Sequence, residues 1–144
     1  MMRGTVDSMP AAQPVDGAPG PARLVLIVED EPDNREIIRS VVEDIMGHAA
    51  ALAADGEDAL AAIGETAPDL ILMDLMMPIL NGFEAIRALK NDPATASIPV
   101  IAVSALSRAR DQQQALDVGA DDYISKPFDL DLLANKITAL LPPR

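Results

Sequence analysis

The sequence predicts an α/β domain in which helices cover both faces of a parallel sheet. Strand-like and helix-like stretches alternate five times from Arg23 onward, and the connections between them are short. Strands joined through helices in this way run parallel, with right-handed crossovers. The strongest strand candidates are also continuous aliphatic runs, as expected of strands buried on both faces.

The elements follow in order. Leu24 to Val28 is wholly aliphatic and reads as the first strand. Ile37, Val41 and Ile45, with Ile38 and Val42 beside them, predict an amphipathic helix. Ala49 to Ala53 is a weak second strand, followed by a helix around Glu57 to Glu65 with Leu60 and Ile63 inward. Asp69 to Met73 is a second strong buried run, and Asn81-Gly82 opens a helix marked by Phe83, Ile86 and Leu89. Ile98 to Val103 is the fourth strand. A polar-faced helix from Arg108 to Val118 then stops at Gly119, a residue suited to a left-handed C-cap. Asp122 to Ser125 is a short fifth strand, and Leu130, Leu133, Ile137, Leu140 and Leu141 form the last helical stripe before Pro142-Pro143. Residues 1–22 are rich in Pro, Gly and Ala without periodicity and read as a flexible tail, leaving 23–144 as one domain.

Composition narrows the function. A net charge of −12 opposes nonspecific binding to nucleic acid or anionic lipid, and 2% aromatic residues give no platform for stacking bases. No apolar run reaches the roughly 18 residues of a membrane span. Without cysteine there is no disulfide framework or thiolate metal site, and one histidine, His48, cannot build a multi-histidine site. His48 follows Gly47 and is expected to be exposed and inert. A cytoplasmic protein is the expectation.

In open parallel sheets the chemistry collects beyond the carboxyl ends of the strands. Glu29, Asp30, Glu31 and Asp33 follow the first strand, Asp74 the third, Ser104 the fourth, and Lys126-Pro127 the last. Carboxylates brought that close take up protons or bind a cation, and an all-oxygen set favours a hard ion such as magnesium. A phosphate-cradling loop would instead place Gly, Ser or Thr after the first strand. Asp121-Asp122 is expected to be a solvated pair, with inter-subunit salt bridges the alternative. Met73, Met76 and Met77 are expected to pack in the core and loop.

Four segments together carry a resemblance: Leu24 to Asp30, Leu70 to Pro78 with Asn81-Gly82, Val100 to Ala105, and Gly119 to Phe128. They resemble the receiver domain of bacterial two-component response regulators, over about Arg23 to Leu141. The resemblance implies a doubly wound, five-stranded parallel sheet in the flavodoxin-like order 2-1-3-4-5. It implies that Asp74 is the phosphoacceptor, attacking the phosphorus of a phosphohistidine on a histidine kinase or histidine phosphotransfer protein. Asp30 matches the direct magnesium ligand, Glu29 its acidic neighbour acting through water, and Met76 a position that contributes a backbone carbonyl. Lys126 matches the ammonium that pairs with the acceptor and then with the phosphoryl oxygens. Ser104 matches the switch hydroxyl and Tyr123 the aromatic that moves with it. The Lys126-Pro127 peptide bond is typically cis in the family.

The expected function is therefore a phosphorylation-dependent switch, not an enzyme. It would signal by docking to an unknown downstream protein or pass the phosphoryl group on, as a monomer or a phosphorylation-dependent homodimer. Its expected output surface runs from about Arg108 to Leu140. Two other classes compete. A receiver-fold adaptor working without phosphorylation would not need the Asp30, Asp74, Ser104 and Lys126 set. Hydrolases of the haloacid dehalogenase type resemble D-x-D after the first strand, whereas here the acceptor follows the third and Met76 holds the second position, so a general acid/base is missing there.

Overall fold

Aliphatic side chains on both faces of each inner strand set the architecture. The computed structural model describes residues 23–76, 81–106 and 108–141. Strands β1 (Leu24–Val28), β2 (Ala49–Ala53), β3 (Leu70–Asp74), β4 (Val100–Ser104) and β5 (Asp122–Ser125) form one parallel sheet in the order β2-β1-β3-β4-β5. The helices are α1 (Pro32–Ser40), continued by a π-helical turn (Val41–Ile45), then α2 (Gly56–Glu65), α3 (Gly82–Asn91), α4 (Ala109–Asp117) and α5 (Leu130–Leu140).

The two-residue period of the strands divides the core in two. Val25, Ile27, Leu70, Leu72, Ile101 and Val103 pack with Ile38, Val41 and Val42 of the first helical segment and Leu133 and Ile137 of α5. Leu26, Val28, Ile71, Met73, Val100 and Ala102 point the other way, onto Ala59 and Ile63 of α2, Ala85, Ile86 and Leu89 of α3, and Ala115 of α4.

Helix starts are fixed mostly by side chains. Glu31 caps α1 by accepting from Asp33 N at 2.7 Å, Asp55 caps α2 through Asp58 N at 2.8 Å, and Asn81 caps α3 through Glu84 N at 3.0 Å. Asp129 caps α5 through Asp131 N at 2.7 Å. Each cap satisfies a backbone donor that the helix itself cannot. Arg108, at the start of α4, makes no such bond.

Several expectations need correction. The first helical stripe centres on Ile38, Val41 and Val42, while Ile37 is exposed and Ile45 is 65% exposed. The π turn, with Met46 N donating to Val41 O at 2.9 Å, rotates less per residue than an α-helix and leaves Ile45 facing out. In α2, Ala59 and Ile63 fill the inward positions, and Leu60 is 37% exposed. Leu130, in the first turn of α5, is exposed as well. His48 is half-buried, and its Nδ1 accepts from Arg23 N at 3.2 Å.

Asp121 is exposed and Asp122 half-buried, and each also pairs with a lysine of the same chain. Lys90 Nζ lies 3.0 Å from Asp121 Oδ2 and also donates to the Ala96 and Ile98 carbonyls, while Asp121 Oδ2 accepts from Val100 N. Lys136 Nζ holds Asp122 at 3.0 Å. The expected tail over residues 1–22, together with Met77, Pro78 and Pro142-Pro143, lies outside the described residues. Among the described residues, no helix is long and apolar enough to cross a membrane.

Candidate functional site

Strand register builds the site. Val28 pairs with Met73, so the next residues along, Glu29 and Asp74, emerge side by side at the carboxyl edge of β1 and β3. Asp74 in turn pairs with Val103, and Ser104 with Ser125, which sets Ser104 and Lys126 one step further along the same edge. The site thus lies where the chain winds in opposite directions on either side of β1 and β3.

Asp74 is 3% exposed and Glu29 1% exposed, while Asp30 is exposed at the mouth. One oxygen from each of the three lies within 4.8 Å of the others. Lys126 reaches in from the end of β5 and sets its Nζ 2.8 Å from Glu29 Oε1 and 3.0 Å from Asp74 Oδ2. The Lys126–Pro127 peptide bond is cis. Asp74 Oδ1 accepts from Met76 N at 2.9 Å, and Glu29 Oε2 accepts from Glu31 N at 3.1 Å. The Met76 side chain is 58% exposed, whereas Met73 is buried in the core.

Burial raises the Glu29 carboxyl to about 6, against the opposing pull of Lys126 and the Glu31 N–H. Burial also works against the charge on Lys126, but the two carboxylates outweigh it and hold the ammonium above its ordinary range. The cluster is all oxygen, and buried Glu29 Oε1 has no hydrogen-bond partner beyond its ion-pair contact with Lys126. Such a donor set fits a hard divalent cation like magnesium.

Ser104 is fully buried, and its Oγ accepts from Leu106 N at 3.1 Å. Tyr123 is also buried, and its hydroxyl donates to the Leu106 carbonyl. One peptide segment therefore links the two side chains, and burial pushes the Tyr123 hydroxyl above the usual phenol range. Gly82 packs against β3 so closely that a Cβ there would lie 2.3 Å from the Asp74 carbonyl oxygen.

The structure brings Glu29, Asp30, Asp74 and Lys126 into one cluster, keeps Met76 next to it through its amide, and places Ser104 and Tyr123 at the neighbouring β4–β5 edge. Sequence reasoning missed Arg35, which sits within a run of charges that reads as a solvated helix face, and the part that the Leu106 backbone plays, which residue type does not reveal.

The profile of the response regulator receiver domain matches residues 25–138. Protein PilH of Pseudomonas aeruginosa is 38% identical over 117 residues, covering 81% of this chain and 96% of PilH. A DNA-binding dual master transcriptional regulator, RpaA of Synechocystis sp., is also 38% identical, and the match covers 81% of this chain but 48% of that protein. The chain thus spans about half the length of that relative. Among solved structures, the receiver domain of a sensor histidine kinase from Pseudomonas aeruginosa, with magnesium coordinated in its active-site cleft, superposes with a TM-score of 0.77 at 30% identity, covering 84% of this chain and 98% of that one.

Proposed function

Because the chain belongs to the response regulator receiver domain family, we propose that it is a phosphorylation-dependent signalling switch with Asp74 as its acceptor. The observation that carries this reading is the Asp74 carboxylate, buried at a strand end and held between the Lys126 ammonium and two further carboxylates.

An Asp74 carboxylate oxygen attacks the phosphorus of a phosphohistidine on a histidine kinase or histidine phosphotransfer protein. The P–N bond breaks, its electron pair stays on the histidine nitrogen, and an aspartyl phosphate results. Phosphoryl transfer asks for charge neutralisation and alignment more than covalent help. Magnesium, held by Glu29, Asp30, Asp74 and the Met76 carbonyl, would offset the charge on the acceptor and phosphoryl oxygens. Lys126, already 3.0 Å from Asp74 Oδ2, supplies the fixed positive charge and passes to the phosphoryl oxygens.

Signal leaves through Ser104. Its hydroxyl turns to the phosphoryl group and gives up Leu106 N, which loosens the segment whose carbonyl holds Tyr123. The change spreads over α4, β5 and α5 to a downstream protein in the cytoplasm. An apolar groove of about 520 Å³ beside Lys126, lined by Ile37, Phe128 and Leu130, suits the approaching donor protein.

Intact mass after incubation with magnesium and acetyl phosphate tests the reading. The expected gain is about 80 Da, one phosphoryl group, in the wild type and not in Asp74→Asn, and a chelator abolishes it. Failure with acetyl phosphate and with histidine kinases of the same organism would overturn it in favour of an adaptor that works unphosphorylated.

A further inference from the structure

Arg35 of α1 lies among Glu31, Asp33 and Glu36, yet its guanidinium bonds to none of them. Its Nη1 instead turns back across the β1–α1 turn and donates to the Glu29 carbonyl oxygen at 2.9 Å. Glu29 stands one residue beyond β1, where the sheet ladder is ending. Its N–H still bonds to Ala53 O at 3.0 Å, and its carbonyl takes Arg35. With Glu31 N on one side-chain oxygen and Lys126 on the other, the residue is held at every polar group it has.

The carbonyl that Arg35 grips belongs to the peptide joining Glu29 to Asp30. That peptide joins Glu29, buried beside Asp74, to Asp30, exposed at the mouth. A neutral donor would hold it more weakly, because hydrogen bonds from an ionised group are about twice as strong. A lysine would offer one point charge in place of the planar fork. The guanidinium has two opposed effects on a cation: it fixes the ligands, and its own charge repels. Its bond is to the backbone between the two ligands and not to either carboxylate.

We propose that Arg35 is a positioning residue of the acidic site, setting the relative placement of the Glu29 and Asp30 carboxylates for a divalent cation. The proposal rests on the reading of those residues as cation ligands. Outer partners of metal ligands typically matter by 10- to 100-fold in affinity.

Calorimetric titration with magnesium chloride on the full chain tests it, using wild type, Arg35→Met, Arg35→Lys and Asp30→Asn, with urea unfolding of each in chelator. Arg35→Met is expected to weaken magnesium binding about 10-fold, with Arg35→Lys recovering part of the loss. A purely structural role would lower the unfolding midpoint in chelator and leave the magnesium affinity of the folded protein within twofold of wild type. That result, or tighter binding by Arg35→Met, would overturn the proposal alone. Wild type and Asp30→Asn binding magnesium equally, or neither binding it, would overturn the site reading and this proposal with it. If Arg35→Met does not fold, the Lys variant and Arg35→Gln decide: affinity weakened in both supports the proposal, and affinity unchanged in both overturns it.

Discussion

The Lys126 ammonium is shared by two buried carboxylates, 2.8 Å from Glu29 Oε1 and 3.0 Å from Asp74 Oδ2. Each carboxylate leans on the same cation, so removing it strands both. Breaking a buried pair on one side typically costs about 3 kcal/mol or more, because the remaining charge has lost its water and its partner. Lys126→Met is therefore expected to lose about 3 kcal/mol of stability in chelator at pH 7, read from urea unfolding, with magnesium restoring part of it. An unchanged midpoint would mean that desolvation of the ammonium already offsets both pairs.

Glu29 gives a pH dependence with a definite sign. Its carboxyl titrates near 4.5 when unfolded and at about 6 when folded. Across that window the folded state binds more protons, so this group's stabilising contribution is complete below about 4.5 and is lost as pH rises through about 6. In chelator, wild type minus Glu29→Gln stability should fall between those values and then level off. A difference that rises with pH would contradict the assignment.

Gly82 is a place where a single methyl group should disturb both fold and site. A Cβ would meet the Asp74 carbonyl oxygen at 2.3 Å and the Leu75 Cα at 2.6 Å, and both are backbone atoms that cannot rotate away. Gly82→Ala is expected to lower stability by about 2 kcal/mol and to slow phosphorylation of Asp74 in the acetyl phosphate assay. A variant equal to wild type in both measurements would show that α3 can shift freely against β3.

Much of this was legible before the fold was known, for identifiable reasons. Strands buried on both faces read as unbroken aliphatic runs, so β1, β3 and β4 and the acids after them stand out. Parallel topology then sends Asp30, Asp74, Ser104 and Lys126 to one edge whatever the side-chain details. Tertiary pairings left no such trace. Lys90 and Asp121 are 31 residues apart and meet only because α3 ends where β5 begins, at the same side of β4. Asp122 finds Lys136 a helix away. A fixed 3.6-residue period could not anticipate the wider turn that sends Ile45 outward, nor that Leu130 would end on the rim of a groove rather than in the core.

The missing cap at Arg108 gives the domain an uneven mechanical compliance. Four of the five α-helices described begin with a side chain locked onto their first turn, each lock worth about 1 kcal/mol against fraying. The first turn of α4 has no such cap, only an ion pair from the exposed Arg108 side chain to Asp111 at 3.5 Å, and it lies a few residues beyond Ser104 and Leu106. A push delivered at the carboxyl edge meets stiff joints at α1, α2, α3 and α5 and a yielding one at α4. The direction in which the domain gives way is thus built into the pattern of its helix starts.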